Sequence, residues 1–143
     1  MYKKILVPLD GSELAEKALK HAHILARSLH AEIVLLRVVV FITQDFDVIP
    51  MEGAVSDEAI ADAKRYLERA SAGLRRLGLK VTTRVKSGRV ADTIIDYSEK
   101  HAVDLIVMST HGRTGPARWL IGSVADRVVR GGHVPVLLVR GKR

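Results

Sequence analysis

The stretch "AEIVLLRVVV", Ala31–Val40, is apolar and β-branched, interrupted only by Glu32 and Arg37. A strand with one wet face alternates apolar and polar residues, and this run does not. It reads as a strand buried on both faces, the setting of a parallel sheet. Parallel neighbours cannot be joined by a tight hairpin, so they require crossovers, usually helical. The flanks supply them. Upstream, Leu14, Ala15, Ala18, Leu19, Ala22, Leu25 and Leu29 share one helical face. Ser12 is a good N-cap for that helix, and Glu13 suits its first turn. Before it, "KKILVPL" (3–9) is a second apolar run, closed by Asp10-Gly11.

The same alternation continues downstream. Ser56-Asp57-Glu58 opens a long helix to about Leu77, and "LKVTTRVKS" (79–87) is a strand. Gly88 turns the chain into the helix "VADTIIDYSEKHA" (90–102), followed by the strand "DLIVMS" (104–109). A last helix runs through "SVADRVVRG" (123–131) and a last strand through "VPVLLVR" (134–140). Five strands and four helices in strict alternation predict an α/β fold with one parallel sheet. No second domain, repeat or low-complexity linker is visible, so residues 1–143 read as one domain. In the order 3-2-1-4-5 the winding reverses between the first and fourth strands. Ligands of such sheets bind beyond the strands' carboxyl ends at that reversal. The irregular stretch 41–55 is long enough to be a functional, moving loop.

Composition narrows the function. The net charge of +7 points to anionic partners, although "RYLERASAGLRRLGLK" (65–80) places much of it at the spacing of a solvated helix face. Aromatics are only 4%, which argues against base-stacking platforms and a nucleic-acid partner. With no cysteine, disulfides and thiolate chemistry are out. The N-terminal apolar run is too short for a signal peptide, and no run approaches the ~20 residues of a membrane span. A cytoplasmic protein is expected.

The chemistry gathers in "STHGRTGPARWLIGS", Ser109–Ser123, between a strand and a helix. Gly112, Gly115, Gly122 and Ser123 suit a loop whose backbone N–H groups approach an anion. Gly122-Ser123 would stand at a helix N-terminus, where unpaired donors and the helix dipole favour phosphate. Ser123 would cap that helix or give its hydroxyl to the phosphate. On composition alone, glycines that merely make turns explain the segment equally well. There is no Gly-x4-Gly-Lys-Ser/Thr loop and no Gly-x-Gly-x2-Gly fingerprint, and no lysine is fixed in the segment. Binding is therefore better supported than fast phosphoryl transfer.

The segment resembles the Gly-x2-Gly-x9-Gly-Ser/Thr signature of the universal stress protein family. Gly112 takes the second glycine, nine residues follow, and Gly122-Ser123 close the motif; Ser109 replaces the first glycine. The likeness extends through "KKILVPLDGS", "SGRVADTI", "VDLIVMSTHGRTG" and "IGSVADRVVRGGHVPVLLV". It implies the 3-2-1-4-5 sheet of an adenine nucleotide alpha hydrolase-like fold, doubly wound. It also implies ATP, with Mg²⁺ or Mn²⁺ held by its phosphates and no protein ligand to the metal.

By position, the resemblance sets Pro8, Leu9 and Asp10 at the adenosine, with Asp10 on the ribose hydroxyls. Val38 would meet the adenine, Met108 and Ser109 would line the ribose and phosphate entry, and Gly112, Gly122, Ser123 and Val124 would hold the phosphates. Position 109 requires either positive φ or merely small size; the second is the expectation. No catalytic residue is implied, and any hydrolysis would be slow. The family pairs its last strand across a homodimer, which Pro135 tolerates at a sheet edge; an unidentified protein partner would read the nucleotide state.

Three other readings stay open. A stress-protein scaffold without nucleotide would rest on Ser109 alone. An adenylyl transferase or ATP pyrophosphatase would want a catalytic lysine or a Ser-Gly-Gly loop after the first strand, which "LDGSELAEK" (9–17) lacks. A nucleic-acid binder would rest on charge alone. His111, Arg113, Arg118 and Arg127 lie near the loop in sequence, each more in keeping with a surface role.

Overall fold

Strand β1 (Lys4–Pro8) carries Ile5, Leu6 and Val7 fully buried, each stabilising the fold by about 1.5–3 kcal/mol. The computed structural model describes residues 1–40, 56–110 and 121–141. Helix α1 (Glu13–Leu29) follows β1, then β2 (Glu32–Val39), α2 (Asp57–Arg76), β3 (Val81–Ser87), α3 (Val90–Lys100), β4 (Leu105–Ser109), α4 (Ser123–Gly131) and β5 (Val136–Val139). The strands form one parallel sheet in the order β3-β2-β1-β4-β5. The expected fold class and strand order are both present.

The unbroken run of β2 has the cause inferred for it. Ile33 and Leu35 enter one apolar cluster with the alanines of α1 and with Leu67 and Leu74 of α2. Val34, Leu36 and Val38 enter another, with Ala91 and Ile94 of α3 and Ala125 and Val128 of α4. Helices cover both faces, so the successive side chains Ile33, Val34, Leu35 and Leu36 are all apolar and buried.

One detail of α1 differs from the sequence reading. Its buried stripe is Ala15, Ala18, Ala22 and Ala26, while Leu29 at the helix end is exposed. Small side chains let the helix backbone lie close to the sheet. The flanking Leu19 and Leu25 pack at its sides, partly buried.

The turn after β1 is built by three residues. Gly11 takes φ +89°, which a residue with a Cβ adopts only at a cost. That bend lets Asp10 Oδ1 accept hydrogen bonds from Ser12 N at 2.9 Å and Ser12 Oγ at 2.5 Å. Ser12 Oγ in turn accepts from Ala15 N at 3.1 Å, capping α1. Among the described residues, no helix is long and apolar enough to cross a membrane.

Candidate functional site

β1 lies between β2 and β4, so the chain leaves it in opposite directions on its two sides. A cavity of about 390 Å³ opens there, beyond the carboxyl ends of the strands. Pro8, Leu9 and Asp10 line it from β1 and its turn, Val38 from β2, and Met108 and Ser109 from β4. Gly122, Ser123 and Val124 close it from the start of α4. The structure thus brings together every described residue that the sequence nominated. Gly112 lies outside the described residues, as do Gly115, His111, Arg113, Arg118 and the loop 41–55. Arg127 turns elsewhere: its Nε lies 3.3 Å from Asp92 Oδ1 on α3.

The start of α4 is left open to the cavity. Gly122, not Ser123, is the cap residue, and it offers no side-chain cap bond. Ser123 is the first helical residue, so its hydroxyl is not the cap that one sequence reading allowed. Gly122 N is committed to Thr110 O at 2.7 Å, and Asp126 N to Gly122 O at 2.9 Å. Among the described residues, no side chain caps the N–H groups between them, which lie at the positive end of the helix dipole. This is an arrangement that accepts an anion.

Position 109 settles a structural question. Ser109 is the last residue of β4, paired with Val139 of β5, and its φ is not positive. The backbone there is ordinary strand, so positive φ is not demanded of this residue and serine adopts the conformation without strain. The residue is 7% exposed, yet its Oγ has no hydrogen-bond partner among the described residues.

Several wall residues went unmarked in the sequence. Leu36, Val39 and Val40 of the β2 end and Val90 and Ile94 of α3 line the cavity, with Arg37 and Thr110. The apolar ones look like any core residue. Val90 and Ile94, at the start of α3, are no exception. Arg37, the one cation inside the β2 run, was the stronger signal. Burial of the nearby Tyr66 phenol on α2, with the carboxylates of Glu16 and Asp10, pushes its pKa up to about 12, against the opposing charge of Arg37. Among the described residues, no cluster of three or more His, Asp or Glu side chains stands ready for a metal.

The sequence profile of the Universal stress protein family matches residues 1–140. The chain belongs to the universal stress protein family. It is similar to universal stress protein MJ0531 of Methanocaldococcus jannaschii, with 37% identity over 98% of this chain and 83% of that one. The solved structure of MJ0577, a universal stress protein of the same organism, superposes with a TM-score of 0.84 at 33% identity, over 100% of this chain and 99% of that one. A universal stress protein from Archaeoglobus fulgidus, solved in complex with dAMP, shares the fold at a TM-score of 0.73 and 24% identity, over 96% and 97% of the two chains. Nucleotide-bound structures therefore occur among the universal stress proteins that share this fold.

Proposed function

We propose that the chain binds ATP at the carboxyl ends of β1 and β4 and works as a nucleotide-dependent regulatory homodimer in a stress response. The observation that carries the reading is the convergence of Asp10, Val38, Ser109 and the N-terminus of α4 on one cavity. Its size, about 390 Å³, lies within the usual range of small-molecule sites. Its two ends differ in the way a nucleotide requires. Val38, Leu36, Ile94 and Met108 are buried apolar surface suited to a base. Asp10 is a carboxylate suited to ribose hydroxyls, and the α4 N-terminus is suited to phosphate. Mg²⁺ or Mn²⁺ would ride on the phosphates, with oxygen and water ligands. Hydrolysis, where it occurs, is slow.

Calorimetric titration of nucleotide-free protein with ATP and Mg²⁺ tests the reading. The expected result is one site per chain with micromolar or tighter affinity, about −8 kcal/mol. Absence of heat at millimolar ATP refutes it and leaves a scaffold acting through protein contacts. Gly122→Val tests the placement. Gly122 has φ −57° and ψ 153°, which valine also adopts, so the substitution adds bulk without backbone strain. Affinity should fall at least about tenfold, the scale of one lost charge-assisted contact; unchanged affinity would put the site elsewhere.

A further inference from the structure

A second groove, of about 580 Å³, lies at the amino ends of β1, β2 and β3, at the far end of the sheet from the cavity described above. Arg27 and His30 reach it from the end of α1, Leu77 from the end of α2, and Lys3, Glu32 and Lys80 from the starts of the three strands. Glu32 N donates to Lys3 O and Ile33 N to Lys80 O, both at 2.9 Å, so these strand starts are held side by side. Three cations thus line the groove with one carboxylate. That carboxylate is already engaged: Glu32 Oε2 lies 3.1 Å from Lys80 Nζ, and Oε1 3.7 Å from Lys4 Nζ. Among the described residues, the side chains of Lys3 and Arg27 form no ion pair. The dipole of α1 favours Arg27 in its last turn. Lys3 belongs to no helix, and Asp104, which accepts from its backbone N–H at 2.8 Å, does not line the groove. Between these cations Leu77 is 50% exposed.

We propose that this groove docks an acidic segment of a partner protein, with Lys3 and Arg27 taking its carboxylates and Leu77 an apolar side chain between them. Charge complementarity selects an anionic occupant, and the lining selects a peptide among anions. No aromatic side chain lines the groove to stack a base. Glu32 and the carbonyl ends of α1 and α2 repel a close row of phosphates. The same groups are acceptors that a peptide's backbone N–H groups can use. Exposed guanidinium and ammonium groups around an apolar residue are the usual means of reading an acidic motif. None of these residues lines the cavity at the carboxyl ends of the strands, so the proposal does not depend on the nucleotide reading.

The experiment follows the fluorescence anisotropy of a labelled glutamate peptide with interspersed leucines, titrated with three chains. These are the native chain, the groove pair Lys3→Glu with Arg27→Glu, and the control pair Lys64→Glu with Arg69→Glu on α2. Both pairs change the net charge equally, and all four positions are exposed, so the variants keep the fold. Lys64 and Arg69 do not line the groove. The native chain should bind the peptide, and the groove pair should weaken it at least about tenfold, with a much smaller effect from the control pair. Replacing the peptide's leucines with serine should also weaken binding. An equal loss in both pairs overturns the proposal, because net charge alone then attracts the peptide. No binding by the native chain also overturns it. So does tighter binding of a single-stranded oligonucleotide that the groove pair abolishes, since the occupant is then a nucleic acid.

Discussion

At the scale of the residue, the site is set by a few groups whose surroundings fix their state. Tyr66 is the clearest titrating case. Burial and the neighbouring carboxylates of Glu16 and Asp10 favour its neutral phenol, moving it from 10.0 to about 12. The unfolded chain therefore ionises this tyrosine first as pH rises. The stability it contributes is complete below pH 10 and is lost as pH climbs through about 12. Tyr66→Phe should flatten that alkaline loss, read as the change in urea midpoint between pH 8.5 and pH 11. An equal loss in both proteins would mean the phenol is not held neutral by the fold. Individual residues were legible in sequence where their chemistry is local. Asp10, Gly11 and Ser12 could be read as a turn and a cap because their hydrogen bonds close within the segment 10–15. Ser109 was legible as a departure from a signature. Its orphaned hydroxyl was not, because what surrounds it comes from β1 and β5, distant in sequence.

At the scale of the element, the turn between β3 and α3 decides where part of the cavity wall stands. Gly88 has φ +144°, and a Cβ built there would lie 2.7 Å from Thr93 Oγ1. Gly88 N also donates to Val39 O at 3.2 Å, tying the turn to the end of β2. Gly88→Ala combines an unfavourable backbone with a collision inside the first turn of α3. It should cost about 1–3 kcal/mol, seen as a lower urea midpoint; an unchanged midpoint would show that the turn relaxes freely. The helices and strands themselves were legible because apolar period and burial agree. Ser56 caps α2, accepting from Ala59 N at 3.1 Å, and the helix ends at Arg76 beside the expected Leu77. The orientation of α1 was less legible: a leucine pattern suggests one face, but the alanines approach the sheet most closely. Val90 and Ile94 escaped notice as wall residues for a related reason. An apolar side chain at a helix start carries no mark of whether it meets core or ligand.

At the scale of the whole molecule, the two sheet edges are unlike, and the difference argues for the dimer. β3 presents Thr82, Thr83, Arg84 and Lys86, and charge of this kind discourages strand addition. β5, at the opposite edge, reads Val136, Leu137, Leu138, Val139, with no charge and with Leu137 38% exposed. An apolar edge with unpaired backbone groups is a template for a second strand, and a second copy of this chain is the partner always at hand. Each chain carries a formal charge of +7, so two copies repel at long range. In the proposed dimer, apolar contact along β5 would have to outweigh that repulsion, and added salt should screen it. Sedimentation velocity should therefore give twice the 15.7 kDa chain mass, with association strengthening as salt rises. Leu137→Lys puts a charge at the middle of the β5 edge, where the proposed dimer would bring it close to its own copy. It should yield monomers whose ATP affinity is preserved, since Leu137 does not line the cavity. A dimer that survives Leu137→Lys would move the interface to another surface, and a native chain that sediments as a monomer would leave the β5 edge without the partner proposed for it.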